Sequence, residues 1–149
     1  MVTISKLLDP KLITFLGVEA REEALRALVE VVHHAGKLRN KEEFLKAILD
    51  RESIISTGIG LGVAIPHAKL AGYEHFFIAI GILKKGVDWK ALDETPVRIV
   101  FMIGGPENQQ TEYLRILSHL TMMINDEERR KKLLTLNSPE AIIKLFKNF

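Results

Sequence analysis

Two stretches of this chain carry almost no polar residue and are too short to be anything but buried strands. Phe76-Phe77-Ile78-Ala79-Ile80-Gly81-Ile82-Leu83 contains no polar side chain, and Val97-Arg98-Ile99-Val100-Phe101-Met102-Ile103 contains only one. Both are rich in β-branched and aromatic residues and end at turn signals, Lys85-Gly86 and Gly104-Gly105-Pro106. A strand that is apolar at every position must be covered on both faces. The rest of the chain therefore has to supply two layers of amphipathic helix.

The helical segments are present. Ala24, Leu25, Leu28, Val29 and Val32 form one stripe at the helical period, predicting a helix from about Arg21 to Ala35 with Gly36 as its stop. Asn40 with Glu43 is a capping-box-like start for a second helix, carrying Phe44, Leu45, Ile48 and Leu49 on one face. The turn chemistry of Ser56-Thr57-Gly58 ends it near Arg51–Ile54. After the strands, Tyr113, Ile116, Leu117, Leu120, Met123 and Ile124 predict another helix. A shorter one starts near Asp126, with acids in its first turn and bases later. Ser138-Pro139-Glu140 opens a last one bearing Ile142, Leu145 and Phe146. Leu12–Leu16 and Val63–Ile65 are shorter strand candidates. The expected fold class is an α/β sandwich, with helices on both faces of one sheet.

At 149 residues, the chain reads as one domain spanning 1–149. Lys and Arg total 21 against 19 acids, a net charge of +2, which gives no basic stripe for nucleic acid. No cysteine is present, so disulfides and thiolate chemistry are excluded. The longest apolar run falls far short of a membrane span, and the N-terminal Met1-Val2-Thr3-Ile4-Ser5-Lys6 lacks the signal-peptide pattern. A cytoplasmic protein without direct membrane insertion is expected. His33 and His34 are adjacent on one helix, His119 stands alone and His75 precedes a strand. Without a His-Glu-x-x-His spacing, no metal site is expected, and no cofactor is implied. Lys84-Lys85 and Arg129-Arg130-Lys131-Lys132 read as solvated faces, and Trp89 as part of a surface turn without a role.

The informative segment is Arg51 to Lys69. Gly58, Gly60 and Gly62 at alternate positions, after Ser56 and Thr57, make a loop whose backbone N–H groups could wrap an anion. It leads into a short apolar strand that Pro66 ends, so that His67 projects from a strand end. Arg51, at a helix end, supplies a permanent cation. Phosphoryl transfer needs positioning and charge neutralisation above all. A neutral imidazole can be the nucleophile, since its ordinary pKa is about 6.5. The set fits a phosphohistidine site. Bland readings stand beside it: Arg51 as a solvated helix-end charge, Ser56 and Thr57 as turn formers, Tyr113 as a core aromatic.

These residues also carry a resemblance. Glu52, Ile59-Gly60, Val63-Ala64-Ile65-Pro66-His67 and Ala68 match the active-site signature of phosphotransferase-system enzyme IIA domains of the fructose/mannitol type. Leu49-Asp50-Arg51-Glu52 and Ala91-Leu92-Asp93-Glu94-Thr95-Pro96-Val97 are similar to the same family, and Ser56-Thr57-Gly58-Ile59-Gly60 resembles its nitrogen-regulatory branch. The resemblance implies a three-layer sandwich around a mixed five-stranded sheet. It implies that His67 accepts a phosphoryl group from an HPr-type phosphocarrier protein and passes it to a IIB domain or uses it as a regulatory signal. Arg51 would sit against the phosphate; the loop reading adds Ser56, Thr57 and Gly58 as candidate phosphate-binding residues. The family usually places a second histidine where this chain has Tyr113 in Glu112-Tyr113-Leu114. A tyrosine can donate a hydrogen bond but cannot become cationic near neutral pH. That departure favours the alternative of a non-catalytic binding or regulatory module. A hydrolase with His67 as general base is a poorer fit, because no carboxylate partner is specified. The length suggests a free-standing IIA rather than one fused to IIB or IIC partners.

Overall fold

The computed structural model describes residues 4–147; the remaining terminal residues of the expected 1–149 domain lie outside the described set. The helices are α1 (Ile4–Leu7), α2 (Arg21–His34), α3 (Lys41–Ile54), α4 (Gln110–Asn125), α5 (Glu127–Leu133) and α6 (Pro139–Lys147). The strands are β1 (Ile13–Leu16), β2 (Gly58–Gly60), β3 (Val63–Ala64), β4 (His67–Leu70), β5 (Phe77–Val87) and β6 (Val97–Pro106). They form one mixed sheet in the order β1-β5-β6-β3-β2, with β4 also paired to β6.

Six strands occupy five positions across this sheet, because β3 and β4 are two pieces of one line. Val63 and Ala64 pair parallel with Ile99 and Val100, and His67 to Leu70 pair with Ile103 to Pro106. The pairing resumes after Pro66 without a slip in register. Pro66 has no N–H for the ladder, yet its carbonyl still accepts from Ile103 N–H at 2.9 Å. His67 therefore opens a second strand segment instead of projecting from a strand end, which corrects the sequence expectation.

Alternation along β5 and β6 divides the core as the pleat requires. Ile78, Ile80, Ile82, Ile99, Phe101 and Ile103 face a layer that includes Ile116, Leu120, Leu133, Ile142 and Phe146 of α4, α5 and α6. Phe77, Ala79, Leu83, Val100 and Met102 face Leu25, Leu28, Val32, Phe44 and Ile48 of α2 and α3. The helix starts read from sequence hold: Asn40 Oδ1 accepts from Glu43 N–H, Asp126 Oδ1 from Arg129 N–H, and Ser138 Oγ from Ala141 N–H.

Both turn signals expected to bound the long strands lie inside them. Lys85-Gly86 belongs to β5 and Gly104-Gly105 to β6. The glycines of β6 are there for space: a Cβ on Gly104 would stand 2.2 Å from Cζ of Phe77 and 2.8 Å from Cε1 of Phe44, and one on Gly105 would stand 2.4 Å from Cδ1 of Phe76. The two phenylalanine rings thus lie directly on the β6 backbone, on opposite faces. Gly104→Ala is expected to destabilise the fold by about 1–3 kcal/mol, the range for overpacking a core, as read by urea denaturation.

Candidate functional site

Strand β4 carries His67 onto the sheet face covered by α4, since its register partner Ile103 belongs to that side of the core. The imidazole ring centroid lies 5.8 Å from that of Tyr113, in the first turn of α4, and Tyr113 stacks in turn near Phe76 at 6.1 Å. Nδ1 of His67 is 2.9 Å from the carbonyl oxygen of Ile65. A carbonyl can only accept, so Nδ1 carries the proton and Nε2 keeps the lone pair. This tautomer leaves one ring nitrogen unprotonated and open to reaction.

The ring lines a cleft of about 190 Å³ whose walls include Arg51, Ser56, Ile59, Tyr113 and Leu117. Partial burial holds the His67 pKa below the ordinary 6.5, with the positive charges of Arg51 and Lys69 acting the same way; the Ile65 carbonyl and Glu52 oppose them. Burial likewise raises the Tyr113 phenol above its ordinary value, with Arg51 opposing. The neutral forms of both rings are favoured. Arg51 reaches the site from the last turn of α3, where its Nη1 donates to the Ile55 carbonyl at 2.9 Å. It makes a helix-end contact and also lines the cleft that His67 borders.

The hydroxyl residues meet a different arrangement from the expected phosphate cradle. Thr57 is buried, its N–H donates to Glu52 Oε2 at 2.7 Å, and its hydroxyl donates to Glu52 Oε1 at 2.5 Å. The same hydroxyl accepts from Nε1 of Trp89 at 3.1 Å. Ser56 Oγ donates to the Trp89 carbonyl at 2.5 Å and accepts from Gly58 N–H at 3.0 Å. The donors of Ser56, Thr57 and Gly58 named here therefore serve the chain itself. The glycine loop is the β2–β3 hairpin, with Gly60, Leu61 and Gly62 all at positive φ. Its Leu61 N–H donates to the carboxylate of Asp93, which also accepts from Thr95 N–H, each at 3.0 Å, and is held below its ordinary pKa by them.

Three residues of this region had no assigned role in the sequence. Glu52, only 4% exposed, is the hub: besides Thr57 it faces Nη1 of Arg21 at 3.7 Å. Arg21 Nη1 also donates to the Trp89 carbonyl at 3.2 Å. Trp89 is fully buried, which overturns its reading as part of a surface turn. As the chain's one tryptophan, its large apolar area was the available signal. Lys69, two residues beyond His67 on the same face of β4, was legible only from that spacing.

Residues 6–149 match the family described as phosphoenolpyruvate-dependent sugar phosphotransferase system, EIIA 2. The chain belongs to this family. This IIA chain is 44% identical over 130 residues to the PTS system fructose-specific EIIABC component of Bacillus subtilis, covering 86% of the chain but only 20% of that relative. It is 30% identical over 142 residues to a nitrogen regulatory protein of Bradyrhizobium diazoefficiens, covering 93% of the chain and 91% of the relative. Its fold matches the crystal structure of nitrogen regulatory protein IIA-Ntr from Neisseria meningitidis with a TM-score of 0.89 at 27% identity, over 96% of this chain and 98% of that one. Among the described residues, no helix is long and apolar enough to cross a membrane.

Two outcomes follow for the IIA site. Thr57→Val strips a buried carboxylate and a buried indole N–H of a partner, so a loss of about 2–4 kcal/mol is expected in urea denaturation. In NMR titrations, His67 is expected to titrate below 6.5, and Arg51→Ala to move its midpoint upward, because removing a like charge favours the imidazolium.

Proposed function

We propose that this IIA chain is a phosphohistidine carrier in which Nε2 of His67 takes a phosphoryl group from an HPr-type phosphocarrier protein. The observation that carries the reading is the Nδ1–H···O=C bond to Ile65, which leaves one nucleophilic nitrogen at a cleft bordered by Arg51. In the step, Nε2 bonds to phosphorus as the phosphorus–nitrogen bond to the donor imidazole breaks. The donor leaves as neutral imidazole. The proton stays on Nδ1 of His67, and the ring gains positive charge that the Ile65 carbonyl stabilises. Arg51 neutralises the equatorial oxygens, in keeping with a transfer governed by electrostatic positioning. Ser56, Thr57 and Gly58 contribute the shape of the wall, with the Glu52–Trp89 network behind them. Tyr113 remains neutral and packs the imidazole from the side.

Onward transfer goes to a IIB domain or, in a regulatory setting in the cytoplasm, the phosphorylation state itself is the signal. The regulatory reading draws on the near full-length match to nitrogen regulatory proteins.

Incubation with phosphoenolpyruvate, enzyme I and HPr, followed by intact-mass measurement at alkaline pH, is expected to add one phosphate to the wild type and none to His67→Ala. Arg51→Ala is expected to slow labelling by about a hundredfold, the lower end of the range for removing one charge-stabilising donor, since the cleft is open to solvent. Wild-type protein that takes no phosphate at any carrier concentration would favour the non-catalytic binding module instead.

A further inference from the structure

A phosphoryl group on His67 would bring about −1.5 to −2 charges into the cleft near neutral pH. Arg51 supplies one positive charge, and its guanidinium is already donating to the Ile55 carbonyl. Tyr113 supplies none, since burial pushes its phenol away from ionisation and a phenol is never cationic. A second cation is nevertheless at hand. Nζ of Lys69 sits 4.2 Å from the centroid of the Tyr113 ring, while that ring lies 5.8 Å from the His67 ring. His67 and Lys69 are alternate residues of β4, so both side chains leave the sheet on the α4 side.

Lys69 is held by groups that leave its charge intact. Its Nζ donates to the neutral amide Oε1 of Gln110, at 2.7 Å, at the start of α4. The Tyr113 face adds a cation–π attraction. Both partners are weaker than a phosphate dianion, so the ammonium can exchange them for phosphoryl oxygens with little conformational cost. The one buried carboxylate among the described residues, Glu52, is already engaged by Thr57 and Arg21. Burial and ring placement thus give Tyr113 a task that needs no hydroxyl chemistry: it is the platform on which a lysine waits.

We propose that Lys69 is the second phosphate-stabilising cation of the site, parked on the Tyr113 ring and Gln110 and donating to the phosphoryl group once it is on Nε2 of His67. This rests on the phosphohistidine reading of His67 and names the residue that completes its charge balance. It also explains how a site with tyrosine in that position can still hold a doubly charged group.

The test uses potassium phosphoramidate, which phosphorylates imidazole without any carrier protein, on the full chain and on Lys69→Gln and Lys69→Arg. The 31P resonance of the phosphohistidine is followed through its second ionisation. Lys69→Gln is expected to raise that midpoint by about half a unit to one unit, the scale of a partly screened ion pair, and Lys69→Arg to restore it. With phospho-HPr as donor, Lys69→Gln is expected to label about three- to tenfold more slowly. A midpoint in Lys69→Gln indistinguishable from wild type overturns the proposal, as does a shift that Lys69→Arg fails to reverse. If phosphoramidate labels His67 with the expected shifts while phospho-HPr does not, the Lys69 contact stands and the carrier reading fails. No label on His67 from either donor overturns both.

Discussion

Pro66 interrupts a strand without displacing it, and the site depends on that interruption. Flanked by β3 and β4 on a common line beside β6, the Ile65-Pro66 step keeps the register while removing one ladder donor. Ile65 N–H is bonded to the Thr57 carbonyl and the Pro66 carbonyl to Ile103 N–H. The Ile65 carbonyl is turned toward the side chain two residues on and receives Nδ1–H of His67. The carbonyl that precedes the proline thus sets which nitrogen of the imidazole is unprotonated. It does so with backbone atoms embedded in a sheet, which is a more rigid support than a side-chain partner would be.

Behind the strand stands a polar network unusual for a core otherwise filled by aliphatic and aromatic groups. Glu52, Thr57, Trp89 and Arg21 satisfy one another, and Ser56 ties the chain to the Trp89 carbonyl. A buried carboxylate is tolerable only when hydrogen-bonded in this way, and a fully satisfied network specifies one geometry. Its effect is to fix the segment between the end of α3 and β2. Arg51 at that helix end and His67 beyond the hairpin are thereby held across one cleft. Fold and chemistry are connected through this short polar belt.

The sheet and its two helical layers were legible because β5 and β6 are apolar at nearly every position, and because the stripes on α2, α3, α4 and α6 follow the helical period. Strand ends were less legible. Gly104 and Gly105 look like turn residues in sequence, whereas in the structure they admit the rings of Phe77 and Phe76. That use of glycine depends on residues far away in the chain, which no local pattern contains. His67 and Arg51 could be singled out from residue type and spacing, and they line one cleft. Ser56 and Thr57 could not be sorted into wall or ligand, because their partners, Glu52 and Trp89, are defined only by tertiary contact. The glycine hairpin carried a real anion signal, but the anion is the chain's own Asp93.

In the proposed carrier, the Ile65 carbonyl keeps the proton on Nδ1 and makes Nε2 the nitrogen that reacts. Phosphorylated protein labelled with 15N in its histidines tests it directly through phosphorus–nitrogen NMR correlations. The phosphorus is expected to couple to Nε2 of His67, with Nδ1 still protonated and its hydrogen protected by the carbonyl. Phosphorus coupled to Nδ1, or to any other histidine, would contradict it.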